Sequence, residues 1–147
     1  MKTILAAGLA TALSAGAAFA ELVKVESAHD VQTSIDRLTK IVESKGLTVF
    51  SRIDHAENAR GIGLEMADST VLIFGNPKGG TPLMKLNPEI GLDLPLRVLA
   101  YEDGGKVWLV YRKPTAIATE HGIDTEHPAV ATPTGGLAKM TAAAAAE

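Results

Sequence analysis

Along the chain the spacing of apolar residues switches between two periods. Leu22 to Glu26 alternates apolar with polar, as a half-buried strand does. Asp30 then stands as an N-cap before Val31, Ile35, Leu38 and Val42, which recur at helical spacing, and Gly46 supplies a left-handed stop. Period two returns from Leu47 to Asp54, with Val49, Ser51 and Ile53 expected on one face and Phe50 and Arg52 on the other. Thr70 to Phe74 is a short β-branched and apolar run that suits a central strand. Thr81 is expected to cap a second helix with Pro82 at its first position, where a missing N–H costs nothing, and Pro88 limits that helix. Leu96–Glu102 and Val107–Arg112, joined by Asp103-Gly104-Gly105, predict a hairpin, and Thr115–His121 a last short helix. The resulting order is β-α-β-β-α-β-β-α. Its economical arrangement is α+β, an antiparallel sheet packed on one face by two to three helices.

The two ends read differently. Residues 1–20, MKTILAAGLATALSAGAAFA, combine Lys2, an apolar stretch and Ala18-Phe19-Ala20, the pattern of a signal peptide cleaved after Ala20. Residues 123–147 mix Pro, Gly, Thr and Ala without a sustained apolar face and are expected to form a flexible tail. The domain is accordingly expected over residues 21–122. Export to the periplasm is the expected location, with full secretion as the alternative, and no membrane insertion follows cleavage.

Charge and cysteine content narrow the chemistry. Without its first twenty residues the chain carries 13 basic and 17 acidic side chains, a balance that argues against nucleic acid and anionic membrane surfaces. No cysteine is present, which excludes disulfides, thiolate metal sites and covalent haem attachment.

Phe74 to Leu83, FGNPKGGTPL, has the Gly-x4-Gly spacing of a phosphate loop. Thr81 follows Gly80 directly where that motif needs lysine, and Pro77 removes a donor, so nucleotide binding through it is rejected. Two readings stand: the helix start holds a small oxyanion or carboxylate with Thr81, or Gly79 and Gly80 make a sharp turn while Asn76 caps the loop. His55 closes a predicted strand after Asp54 and is a candidate general base or metal ligand; a hydrogen-bonded boundary residue is the structural alternative. His121 and His127 with Glu120 and Glu126 form EHGIDTEH, whose spacing fits a solvated tail better than zinc. Met66 and Met84 are candidate copper or haem ligands beside His55, with apolar packing as the default. Trp108 and Tyr111 face opposite sides of their strand by parity, one to the core and the other to an open face or subunit contact.

Four segments in order, GLTVFSRIDH (Gly46 to His55), FGNPKGGTPLM (Phe74 to Met84), LDLPLRVLAYED (Leu92 to Asp103) and KVWLVYRKP (Lys106 to Pro114), resemble the bacterial domain-of-unknown-function family numbered 302, over about Val25 to Gly122. That resemblance implies a small α+β domain of TATA-binding-protein-like architecture, able to dimerise, with Ile53-Asp54-His55 and Phe74-Gly75-Asn76-Pro77 as recurrent segments of unassigned role.

Three functional expectations follow. The first is a non-catalytic binding or accessory module, its cleft formed by His55, Asn76, Gly80 and Thr81 where two connectors converge, for an unidentified small ligand such as a metal, haem or anion. The second is a small enzyme in which His55 transfers a proton and loop N–H groups stabilise an anion. The third is a structural homodimer. The sequence names no cofactor.

Overall fold

The computed structural model describes residues 21–147; the expected signal peptide lies outside them. Five strands, β1 (Leu22–Ser27), β2 (Thr48–Asp54), β3 (Ser69–Gly75), β4 (Leu96–Asp103) and β5 (Lys106–Arg112), form one sheet in the order β1-β5-β4-β3-β2. Every neighbouring pair is antiparallel. Helices α1 (Val31–Ser44), α2 (His55–Gly61), α3 (Pro77–Leu86), α4 (Pro114–Glu120) and α5 (Pro128–Ala145) connect or follow the strands, with a 3-10 turn at Pro88–Leu92. The expected α+β class with an antiparallel sheet is what the chain adopts.

Asp30 caps α1 as its sequence suggests, its carboxylate accepting the Thr33 N–H at 2.7 Å. The apolar stripe Val31, Ile35, Leu38 and Val42 is thereby aimed at one sheet face and fully buried. Opposite it stand Leu72, Phe74, Val98, Ala100, Leu109 and Tyr111. Each large aliphatic side chain buried there contributes about 2 kcal/mol of transfer free energy.

Strand β2 departs from simple alternation. Val49 pairs with Phe74 and Ser51 with Ile73, so Phe50 is an extra, bulged residue. Val49 and Arg52 therefore share the helix-covered face while Ser51 and Ile53 take the other, which corrects the facing expected from parity. Arg52 reaches back to α1, where it pairs with Asp36 and donates to Gln32 Oε1.

The expected flexible tail is instead largely α5. Val130, Leu137, Met140, Thr141, Ala144 and Ala145 are buried, most of them against α1 and the sheet, so the domain runs through Ala145 rather than ending at 122. Docking also satisfies the helix end. The Arg37 guanidinium donates to the carbonyls of Ala143, Ala144 and Ala146, and His29 Nε2 bonds the Ala146 carbonyl at 2.7 Å. Carbonyls that a lone helix would leave without partners are thus held by side chains of another element. Ala28 N–H adds a backbone bond to Ala145 O, joining the end of β1 to the end of α5.

Candidate functional site

Asp54 closes β2 by capping α2. Its Oδ1 accepts the Glu57 N–H at 2.8 Å and its Oδ2 accepts Gln32 Nε2 at 2.9 Å, while Gln32 also donates to Thr70 Oγ1. The Glu57 backbone bond, then the Gln32 bond and the charge of Arg60, hold the Asp54 carboxyl below its ordinary value against a desolvation that acts the other way. With both oxygens committed, Asp54 is positioned to start a helix. His55 is the first residue of α2 and its side chain is exposed. The segment HAENARG carries no sustained apolar period, yet Asp54 followed three residues later by Glu57 is a helix-start signature.

Asn76 answers the question posed by the glycine-rich segment. It is the N-cap of α3, which begins at Pro77 rather than Pro82; Thr81 and Pro82 lie inside the helix. The Lys78 N–H donates to Asn76 Oδ1 at 2.9 Å, and the Gly79 and Gly80 N–H groups donate to the Asn76 carbonyl at 2.9 and 3.1 Å. Pro77 has no N–H. The first-turn donors of the expected oxyanion cradle are therefore already satisfied. Neither Gly79 nor Gly80 has positive φ, and a Cβ on Gly80 would meet only ordinary contacts with Leu94 and Met84, so no sharp glycine turn is made either.

The pairing of β2 with β3 separates the two candidate segments. Asp54 is opposite Thr70, whereas Thr48 is opposite Gly75. His55 therefore leaves the ribbon at one end and Asn76 at the other, roughly 20 Å apart for a strand of this length. The single cleft of His55, Asn76, Gly80 and Thr81 is not formed.

A polar cluster unites residues that sequence spacing keeps apart. Arg112, at the end of β5, pairs with Asp93 and with Glu120, and Asp93 Oδ2 also meets His121 Nε2 at 2.8 Å. Asn87 Nδ2 donates to the His121 carbonyl at 3.0 Å. The Glu120 hydrogen bond, then the charges of Asp93 and Glu120, raise the Arg112 pKa despite partial desolvation. His121 and Asp93 are only 13% and 15% exposed, so His121 is not part of a solvated tail. The cluster ties the turn before β4 to the end of α4. Only His121 and Glu120 share a sequence motif; Asp93 lies 28 residues from His121 and is brought to it by the fold.

One sheet face carries α1 and α5; strand registers place Leu22, Lys24, Val71, Ile73, Leu99, Tyr101, Trp108 and Val110 on the other. Trp108 and Tyr111 do fall on opposite faces, Tyr111 in the core. The Lys24 ammonium lies 4.7 Å from the Trp108 ring centre and 5.4 Å from that of Tyr101. Phe50, 52% exposed, lies beside Gly75 and Pro95 at one corner of this face. The face thus joins a half-buried aliphatic and aromatic centre to a rim that carries Lys24, Glu26, Arg97, Asp103 and Lys106.

Among the described residues no group of three or more His, Asp or Glu side chains could hold a metal ion, and Met66 and Met84 are exposed. Among them too, no helix is long and apolar enough to cross a membrane.

Comparison with known proteins bears on the same domain. The chain is 44% identical over 126 residues to proteins named fluoride-specific ion channel FluC 1 from Brucella suis biovar 1 (strain 1330) and Brucella abortus biovar 1 (strain 9-941). The matches cover 82% of this chain and 50% and 47% of those proteins, so the chain spans about half the length of the curated relatives it matches. Its fold is similar to the crystal structure of an uncharacterized conserved protein DUF302 from Bacillus stearothermophilus, with a TM-score of 0.66, 21% identity, and coverage of 84% of this chain and 94% of that one. The sequence profile described as domain of unknown function DUF302 matches residues 23–145, which includes all of α5 as well as the four segments that carry the resemblance. The chain belongs to the DUF302 family.

Proposed function

We propose that this chain is an exported, non-catalytic accessory module that works through protein contact on its open sheet face, with a second copy of itself as the occupant. The observation that carries the reading is the centre of that face, where Val71, Ile73, Leu99, Tyr101, Trp108 and Val110 sit with no helix of the described residues over them. Five strands about 4.8 Å apart and some 20 Å long give a face of about 500 Å² in projection, to which the charged rim and loop edges add toward the roughly 800 Å² per partner of a stable interface. Its apolar centre and mixed-charge rim follow the anatomy of such interfaces. Lys106 already pairs with Glu26 within the chain at 2.9 Å, which leaves Lys24 and Asp103 as rim residues of opposite sign that a two-fold copy can match.

The Brucella relatives support an accessory role. In proteins named as fluoride-specific ion channels, a segment like this chain makes up about half the length. Here that segment folds as a sheet under helices with no span suited to a bilayer among the described residues, which fits a module that accompanies a membrane protein. Export rests on the pattern of residues 1–20. Catalysis through His55 lacks support from geometry, since Asp54 is occupied as a cap and the Asn76 turn lies at the far end of the ribbon.

The test is sedimentation equilibrium of the purified chain beside Trp108→Glu and Lys40→Glu. The reading predicts a dimer that the charge at Trp108 dissociates and the charge at Lys40, on α1, leaves intact. A monomeric wild type at micromolar concentration would overturn self-association.

A further inference from the structure

A groove between α3 and the start of α5 lies apart from the open sheet face. It is a shallow hollow of about 720 Å³, open to solvent over most of its extent, lined by Pro77, Lys78, Thr81, Pro82, Lys85 and Leu86 from α3, with His127 across from them. Lys78 and Lys85 are seven residues apart, two helical turns, so their Cα atoms stand on one side of α3 about 10 Å apart along its axis. Neither belongs to an ion pair among the described residues, although the chain as a whole is acidic.

Two further groups face the same space. Thr39, Thr119, Thr134 and Thr141 each donate their hydroxyl to the carbonyl four residues back, the usual arrangement in a helix. Thr81 makes no such bond among the described residues, so its hydroxyl is left to a ligand or water. His127 Nδ1 accepts the Ala129 N–H at 3.2 Å, which requires that nitrogen to be unprotonated. The neutral ring therefore carries its proton on Nε2, as a donor.

We infer that this groove binds a small organic dianion, a dicarboxylate with a short apolar spacer. The two ammonium groups meet its ends, Pro82 and Leu86 cover the spacer, and Thr81 and His127 supply neutral hydrogen bonds. The inference does not depend on the sheet-face reading. It also gives Thr81 a ligand role that needs neither the helix-start N–H groups nor His55.

The probe is octanedioate, whose carboxylates stand apart by about the 10 Å of two helical turns, with octanoate as the one-ended control. Titration of the isotope-labelled chain by amide NMR is expected to give saturable shifts confined to Lys78, Thr81, Lys85, Leu86 and His127. Lys78→Gln and Lys85→Gln should each weaken binding about threefold, as exposed ion pairs do, and octanoate should bind about as weakly as octanedioate does to either variant. Lys40→Gln, on another helix, should change nothing. Absence of saturable shifts at millimolar octanedioate, equal binding of octanoate to the wild type, or indifference to both groove lysines would each overturn the inference. Far-UV circular dichroism of the variants guards against reading misfolding as lost affinity.

Discussion

His55 and Asn76 leave the β2–β3 ribbon at opposite ends, because Asp54 pairs with Thr70 and Thr48 with Gly75. A shared active centre is thereby ruled out, and each segment has a structural task. His55→Ala should change stability by less than about 0.5 kcal/mol, as exposed substitutions do, while Asn76→Ala should cost about 1 kcal/mol through loss of the α3 cap. Urea unfolding of both variants checks the pair. A large loss in His55→Ala alone would contradict the assignment.

Asp54 gives a pH signature. Its folded pKa lies below the ordinary 3.8, so its charged contribution is fully present above that value and disappears as pH falls through the lower folded one. Asparagine caps a helix about as well as aspartate but without the charge. Asp54→Asn should therefore be less stable than wild type at pH 7, by about 0.5 kcal/mol, and the gap should close below the ordinary aspartate range. Thermal unfolding from pH 7 down to acid follows this directly.

The last helix should behave as core. Leu137→Ala is expected to cost about 3 kcal/mol by opening a cavity beside α1, and Arg37→Ala about 1 kcal/mol by freeing the carbonyls at the α5 end. Hydrogen exchange should show the amides of Leu137 to Thr141 protected to a similar degree as those of α1. Exchange at the rate of a free peptide would contradict the docked helix.

The Asp93 cluster separates buried from exposed pairing. Asp93→Ala should cost about 2 kcal/mol, since it deprives both Arg112 and His121 of a partner in a partly desolvated place. Glu120→Ala, at the exposed side of the same guanidinium, should cost less than about 1 kcal/mol. Chemical denaturation of the two single variants and the double variant measures their coupling.

Much of this was written in local pattern. Leu22 to Glu26, the Val31-Ile35-Leu38-Val42 stripe and the Asp103-Gly104-Gly105 hairpin each combine a clear period with a recognisable stop, and each element formed close to its expected limits. Helix α5 escaped because Pro133, Gly135 and Gly136 are helix breakers by local propensity, yet the helix runs through them, and because alanines such as Ala144 and Ala145 show no apolar stripe of their own although they are buried in the fold. The bulge at Phe50 shifted the facing of β2, which no local period reveals. The separation of His55 from Asn76 was within reach: when consecutive strands pair antiparallel, the end of one lies beside the start of the next, never beside its end. The clusters around Asp93 and the α3–α5 groove needed the tertiary fold, since their members come from elements far apart in sequence.

The central claim is that two copies meet through the open sheet face. Since the chain contains no cysteine, Ser51→Cys places a single spin label on that face, at the β2 edge opposite Ile73. Packed sheets lie about 10 Å apart and the edge strand about 10 Å from the sheet centre, so a two-fold dimer predicts a dipolar distance within about 30 Å. That distance should vanish when Trp108→Glu is added. A trace without dipolar modulation in the otherwise wild-type chain, at concentrations well above micromolar, would contradict it.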